Sequence, residues 1–173
     1  YKRLTLSFVS SLFDSNYIYN TYVLDSAESR GVKVINKPSS LRDCNEKVFA
    51  TEFPQCCTPY VVSSENDLLR EFISTHNDTV IKPLDGMGGS SIFRLKKNDS
   101  NIGVILETIT NQFKTKVMIQ RYIKEIKDGD KRILLVDGDH FGAAISRVPA
   151  EGELRGNLAA GATAIASSLT EKD

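Results

Sequence analysis

The 173-residue sequence lacks an excess of either charge, because 22 Lys and Arg residues balance 22 Asp and Glu residues. A chain without a basic field is not drawn to nucleic acid or to anionic lipid. It also lacks any apolar run approaching the roughly 20 residues that span a bilayer. We therefore expect small molecules, or other subunits in a homo-oligomer, as partners, with no nucleic acid and no membrane.

Cysteine and histidine are scarce as well. Cys44, Cys56 and Cys57 have no CxxC or Cys/His spacing, which argues against a disulfide framework and a zinc site. His76 and His140 have no catalytic partner at a suggestive spacing, so surface positions are expected. Free thiols fit a reducing, cytoplasmic location. Because the first residue is Tyr1 and not Met, we treat the chain as partial.

The first half of the chain has the apolar spacing of helices. Helices are predicted over 15–30, over 40–53 with Ser40 as N-cap, and from a cap at Ser64 to about 76, with a short strand over 32–36. This alternation is typical of an α/β arrangement.

The second half is dominated by strand patterns. Strands are predicted over 79–84, 91–95, 117–123, 132–137 and 141–148, with a helix near 102–111 and a hairpin turn at Asp137-Gly138. The order predicts α/β in front and α+β behind, in two small units joined near residue 45 and again near 125.

The stretch IKPLDGMGGSSIFR, residues 81–94, places a lysine before a run of glycines between two strands. Backbone N–H groups of such a loop can cradle phosphate oxygens, and Lys82 would add a point charge. The stretch matches neither the Walker A loop nor the dinucleotide fingerprint. On its residues alone, a mobile hairpin loop with Lys82 at the surface is an equal alternative.

Two further stretches carry charge near possible loops. KDGDKR (127–132) is in isolation more typical of a solvated turn, although an Asp at a strand entry can bind a ribose hydroxyl and a neighbouring Arg a phosphate. RVPAEGELRGNLAAGA (147–162) is either an exposed linker or a segment that an anion orders.

Four stretches in this order carry a family resemblance: SLRDCNEK (40–47), IKPLDGMGGSSIFR (81–94), IKDGDKRILLVDG (126–138) and RGNLAAG (155–161). Together they closely resemble bacterial-type glutathione synthetase, a member of the ATP-grasp ligases, over about residues 13–161. The resemblance implies an ATP-grasp fold. Residues 1–45 would end the N-terminal domain, 46–125 would form the lid domain, and 126–173 would begin the catalytic domain.

The resemblance also implies which residues bind ATP, which in that family lies between two α+β units. Lys47 and Lys82 match the phosphate lysines, and the glycine lid over the triphosphate matches Gly86, Gly88, Gly89 and the hydroxyl of Ser90. The adenine-binding strand matches Gln120, Arg121, Tyr122 and Ile123, and the ribose-binding acid matches Asp130.

The catalytic residues implied are all cationic or amide side chains. Arg132 and Arg147 match arginines near the phosphates and the acyl group, and Arg155 and Asn157 match a mobile loop that shields the intermediate. The implied reaction joins γ-glutamylcysteine and glycine through an acylphosphate, giving glutathione, ADP and phosphate.

The Mg²⁺ (or Mn²⁺) ligands of the family, an acid and a Glu-x-Asn pair, would lie beyond Asp173, so no metal residue is assigned and the chain as given is expected to be inactive. Two alternatives stay open at this point. One is another ATP-grasp carboxylate–amine ligase, and the other is a non-catalytic nucleotide-binding module.

Overall fold

The computed structural model describes residues 15–86 and 88–170. The first 14 residues of the predicted domain 1–45, Met87 of the glycine-rich stretch and the last three residues lie outside this description. In chain order the elements are α1 (Ser15–Ser29), α2 (Pro38–Asp43), α3 (Glu46–Phe49), β1 (Tyr60–Ser63), α4 (Asn66–His76), β2 (Asp78–Pro83), β3 (Phe93–Lys96), α5 (Ile102–Ile109), β4 (Val117–Arg121), β5 (Asp130–Val136), β6 (Asp139–Val148) and β7 (Thr163–Ser168). Within the described ranges, no helix is both long enough and apolar enough to cross a membrane.

Two compact units make up the described chain. The first comprises residues 15–86 and 91–121, and the second comprises 88–90 and 122–170. The glycine-rich stretch is therefore divided, with Gly86 in the first unit and Gly88 in the second.

The first unit is built on a four-stranded antiparallel sheet in the order β1-β4-β2-β3. Helices α4 and α5 pack on one face of this sheet, where they bury a single apolar cluster. Its fully or nearly fully buried members are Leu69, Phe72, Ile73, Ile81, Leu95, Ile102, Leu106, Val117 and Ile119. Because successive side chains of a strand point to opposite faces, the neighbours of these strand residues lie on the face away from the helices.

The apolar spacing of the sequence predicted helix α4, which packs directly against the sheet. Leu69, Phe72 and Ile73 follow helical spacing and bury one face of the helix. Asn77 ends it in the left-handed conformation at φ 63°, with its N–H donating to the carbonyl of Ile73. The predicted cap at Ser64 is wrong, because the N-cap is Glu65 and it makes no side-chain cap.

The predictions for residues 32–53 need correction. No strand forms over 32–36, where Asn36 adopts a φ of 62° and Ile35 is 84% exposed. The predicted helix 40–53 is interrupted after Asp43, and α2 begins at Pro38 with Lys37 rather than Ser40 as N-cap. A new, short helix α3 starts after Asn45, whose side chain caps it.

The second unit contains a three-stranded antiparallel meander, β5-β6-β7. The predicted turn at Asp137-Gly138 is confirmed, since Val136 and Asp139 pair directly across it and both turn residues have positive φ. Strands β5 and β6 were predicted, whereas β7 and, in the first unit, β1 were not.

Candidate active site

Lys82 lies on β2, directly opposite Met118 of β4, on the sheet face away from the α4–α5 core. Burial is the main cause that lowers the pKa of Lys82, and the positive charge of Lys47 lowers it further. Glu46 and Cys57 act weakly in the opposite direction. The ammonium group of Lys82 donates no hydrogen bond to any of residues 15–86 and 88–170. Lys82 is therefore a half-buried cation without a described partner.

Lys47 approaches the chain that follows β2 from the first turn of α3. Its ammonium group donates to the carbonyl of Gly86 at 2.9 Å and, more weakly, to that of Leu84 at 3.4 Å. Glu46 lies 3.3 Å away. The side chain of Lys47 is only 9% exposed, so its charge is held close to the protein rather than extended into water.

Asn45 connects the helix that carries Lys47 to the same segment. Its side-chain oxygen accepts from the backbone N–H groups of Lys47 at 3.0 Å and Val48 at 3.1 Å. Its amide nitrogen donates to the carbonyl of Leu84 at 3.0 Å. The sequence analysis did not single out Asn45, although an Asn followed by an acidic first-turn residue is a common helix start.

The end of β4 carries the residues predicted to bind adenine. Gln120 pairs with both Tyr60 and Val80, and lies on the same sheet face as Lys82. The N–H of Arg121 donates to the carbonyl of Pro59 at 2.9 Å, so this backbone donor is already engaged. Tyr122 and Ile123 belong to the second unit and are described separately from Gln120 and Arg121.

In the second unit, Asp130, Arg132 and Arg147 lie on one face of the β5–β6 hairpin. Asp130 is directly opposite Arg147, and Arg132 is opposite Ile145. Arg147 binds Asp130 through two parallel hydrogen bonds, from Nε at 2.8 Å and from Nη2. This hydrogen bonding raises the pKa of Arg147 above its usual value. A carboxylate can accept more than two hydrogen bonds, so Asp130 retains capacity for a hydroxyl.

Arg155 links the Gly-rich segment after β6 to the glycines at 88–89. Its Nη1 donates to the carbonyl of Gly89 at 3.0 Å, while Nε and Nη2 bind Glu153 at 3.0 and 2.6 Å. The hydrogen bond from Arg155 and then that from the N–H of Leu154 lower the pKa of Glu153 to about 2. The sequence analysis missed Glu153, whose position two residues before Arg155 was the available signal.

Gly89 allows this arrangement because it carries no side chain. Its φ is 85°, and a Cβ there would lie 2.8 Å from Oδ1 of Asn157 and 2.9 Å from Cδ of Arg155. Gly88, at φ 64°, is also left-handed, whereas Ser90 is exposed. The structure therefore brings Gly89, Arg155 and Asn157 together.

The predicted residues thus form groups inside each unit: Lys47, Lys82 and Gly86 in the first, and Asp130 with Arg147, and Gly89 with Arg155 and Asn157, in the second. The Arg132 side chain is exposed and is brought to the same face as Asp130. Within the described residues, no cluster of three or more His, Cys, Asp or Glu side chains could hold a metal ion.

Comparison with protein families identifies two matching domains. Residues 46–173 match the family described as prokaryotic glutathione synthetase, ATP-grasp domain. Residues 12–42 match prokaryotic glutathione synthetase, N-terminal domain.

Curated relatives agree with these matches. The glutathione synthetase of Pseudomonas aeruginosa is 55% identical over 161 residues, which are 93% of this chain and 51% of the relative. The glutathione synthetase of Vibrio parahaemolyticus is 50% identical over the same shares of the two chains. The chain spans about half the length of the curated relatives it matches.

Solved structures resemble the chain in fold. D-cycloserine synthetase DcsG has a TM-score of 0.60 at 17% identity, over 79% of this chain and 48% of that one. D-alanyl-alanine synthetase A from Vibrio cholerae has a TM-score of 0.59 at 14% identity, over 87% of this chain and 50% of that one. The predicted ATP-grasp fold is confirmed, and the chain belongs to the prokaryotic glutathione synthetase family.

Proposed function

We propose that this chain is the central part of a glutathione synthetase, an ATP-dependent carbon–nitrogen ligase. In the proposed reaction the γ-phosphoryl group of ATP is transferred to the carboxylate of the cysteine residue in γ-glutamylcysteine, and ADP leaves. The amine of glycine then attacks the acyl carbon, the C–N bond forms, and phosphate departs with the loss of a proton from the amine. The sequence identity to curated glutathione synthetases supports this substrate assignment.

The observation that carries the proposal is the half-buried charge of Lys82 beside that of Lys47. Two like charges held near each other, one of them without a described hydrogen-bond acceptor, form a site that a polyanion stabilises. We assign both ammonium groups to the phosphates of ATP. Backbone N–H groups of Gly86, Gly88 and Gly89 and the hydroxyl of Ser90 would add donors, because glycine lets a phosphate approach the backbone closely.

The nucleoside is assigned to residues near the end of β4 and the start of β5. We assign adenine to Gln120, Arg121, Tyr122 and Ile123, and the ribose to Asp130. The engaged N–H of Arg121 favours the remaining backbone groups and the Gln120 side chain as adenine contacts. The hydrogen bond from Arg147 supports the ribose role because it holds the carboxylate of Asp130 in place as an acceptor for a hydroxyl.

Catalysis is assigned to positive charge and to exclusion of water. Arg132 and Arg147 would stabilise charge developing on the transferred phosphoryl group and on the tetrahedral carbon, which needs no side-chain nucleophile. Both arginines lie on the same face of the β5–β6 hairpin, which supports this role. Arg155 and Asn157 would shield the acylphosphate from hydrolysis, supported by their contacts with Gly89.

The domain boundaries are proposed as 46–125 for the lid domain and 126–173 for the start of the catalytic domain, with residues 1–45 ending the N-terminal domain. The family match beginning at residue 46 and the division of compact units after Arg121 support them. We further propose Mg²⁺ or Mn²⁺ as the metal, with ligands beyond Asp173, and small-molecule partners in the cytoplasm. The balanced charge supports the absence of nucleic-acid binding.

The proposal is tested with the complete protein that carries this chain. ATP-dependent phosphate release is measured with γ-glutamylcysteine and glycine, and in parallel with pairs of free amino acids, including D-alanine. We expect turnover only with the first pair. Turnover restricted to amino-acid pairs would identify a different carboxylate–amine ligase, and ATP binding without turnover on any pair would identify a nucleotide-binding module.

A further inference from the structure

We propose that Asn45 is a positioning residue that holds Lys47 in place against the segment following Lys82. This inference rests on the proposed function, because it assigns Asn45 a role in placing a phosphate-binding charge. The stretch SLRDCNEK contains Asn45, but the sequence alone gives this residue no separate role. The contacts of its side chain do.

The side chain of Asn45 uses both ends of its amide. The oxygen accepts from two backbone N–H groups at the start of α3, those of Lys47 and Val48, and the nitrogen donates to the carbonyl of Leu84. An amide side chain offers an acceptor, its oxygen, and a donor, its NH2 group, on one planar unit. A serine could supply the cap, but it has no NH2 group that could donate to the carbonyl of Leu84.

Helix α3 depends on this cap because it is short. It contains only four residues, Glu46–Phe49, so almost all of its N–H groups lack acceptors within the helix. The N-cap fixes the direction in which the first turn leaves the preceding chain, and Lys47 is the second residue of that turn. Rotation or fraying of this turn would displace the ammonium group of Lys47.

The link to Leu84 matters because Lys47 contacts the same short segment. Its ammonium group donates to the carbonyls of Leu84 and Gly86, which follow the strand carrying Lys82. Asn45 and Lys47 therefore both donate hydrogen bonds to backbone carbonyls of the segment 84–86. If Asn45 releases Leu84, the segment loses one of the side-chain hydrogen bonds described for it, and the spacing between the two proposed phosphate lysines is held less firmly.

The test compares Asn45→Ser with wild type in the complete protein that carries this chain, using ATP binding and the unfolding midpoint. Serine keeps a good N-cap and adds no charge, so we expect only a small fall in the midpoint, from the lost bond to Leu84, and ATP affinity about tenfold weaker. The matched control is Asn101→Ser, at the N-cap of α5, where the side chain makes no cap bond and the affinity should stay at the wild-type value.

A second comparison separates positioning from general stability. In a Lys47→Ala background, Asn45→Ser should weaken ATP binding no further, because Asn45 acts through Lys47. An equal additional loss in that background, or wild-type affinity in the single Asn45→Ser variant, would overturn the inference. If Lys82→Ala still weakens ATP binding in that case, the proposed function stands without it.

Discussion

The positive charge of Lys47 acts on Lys82 strongly enough to lower the pKa of Lys82, in addition to the larger effect of burial. The ammonium group of Lys47 donates to the carbonyls of Leu84 and Gly86, which follow Lys82 closely along the chain. Keeping two cations near each other costs free energy that a bound anion can recover. This electrostatic cost supports the phosphate-binding role that we propose for the pair.

Replacing Lys82 by alanine should weaken ATP binding far more than it affects folding. A charge-assisted hydrogen bond to phosphate contributes ~1.5–3 kcal/mol, so we expect an affinity loss of roughly 10- to 100-fold. The free energy of unfolding should change by less than about 1 kcal/mol, because a half-buried charge without a described acceptor is removed. Isothermal titration with ATP and urea unfolding measure the two quantities.

Lys116→Ala is the matched control, since Lys116 is an exposed lysine of the same unit that is not part of the proposed site. It should leave both quantities unchanged. A sharp loss of stability in Lys82→Ala with normal ATP affinity would make Lys82 a structural residue.

ATP binding should take up a proton at alkaline pH. The pKa of Lys82 is below its usual 10.5 in the free protein, and a neighbouring phosphate raises it, so binding favours the protonated form. Affinity should fall as pH rises through the lowered pKa. For the free protein the sign is opposite: between the lowered pKa and 10.5 the unfolded state binds more protons, so this group makes the free energy of unfolding increase with pH.

Calorimetric titrations at one alkaline pH, in two buffers of different ionisation enthalpy, measure the proton uptake. Lys82→Ala should lose the buffer dependence that is due to this residue. An uptake of the same size in the variant would assign the titrating group elsewhere.

The fold was predictable where an element buries one face against near neighbours. The helical spacing of α4 and the apolar residues of β2 follow directly from the core they form. The segment 32–36 has strand-like residues, but strand formation also requires a pairing partner, and Ile35 remains 84% exposed. Conversely, the Ala- and Ser-rich β7 has weak strand propensity and forms because it pairs with β6.

The pairing register of β5 and β6, which brings two candidate site residues together, could not be predicted from the sequence either. Continuing the pairing of the Asp137-Gly138 turn would place Asp130 opposite Ile145. A register shift between Ile133 and Leu135 places it opposite Arg147 instead, which produces the bidentate ion pair. Sequence motifs could identify Asp130 and Arg147 separately as candidate site residues. The sequence does not reveal the register shift that places them opposite each other.

Gly89→Ala should destabilise the second unit and weaken ATP binding. An L-residue at φ 85° costs ~1–2 kcal/mol, and a Cβ less than 3.0 Å from side-chain atoms of Asn157 and Arg155 would displace those side chains. Gly152→Ala is the matched control, because Gly152 has a φ of 77° with no atom within 4 Å of an added Cβ. It should show the backbone cost alone and normal ATP affinity. Equal effects in the two variants, measured by urea unfolding and ATP titration, would contradict a specific packing role for Gly89.

The 173-residue chain should self-associate through the turn end of the β5–β6 hairpin. Leu134, Leu135, Val136 and Phe141 are 52–68% exposed there, and they are neighbours in the hairpin. Four exposed apolar side chains favour contact between two copies of the chain, since burying one Leu or Phe side chain contributes ~1.5–3 kcal/mol.

Phe141→Ser should therefore shift the chain towards the monomer in sedimentation velocity at micromolar concentration. Ile35→Ser is the control, because Ile35 is even more exposed, at 84%, but belongs to the first unit and not to the hairpin. Its substitution should leave the distribution unchanged, since a single exposed side chain outside the cluster buries little area on contact. If Ile35→Ser reduced association as much as Phe141→Ser, general apolar exposure rather than the hairpin would be the cause. A wild-type chain that stays monomeric throughout the concentration range would contradict the prediction directly.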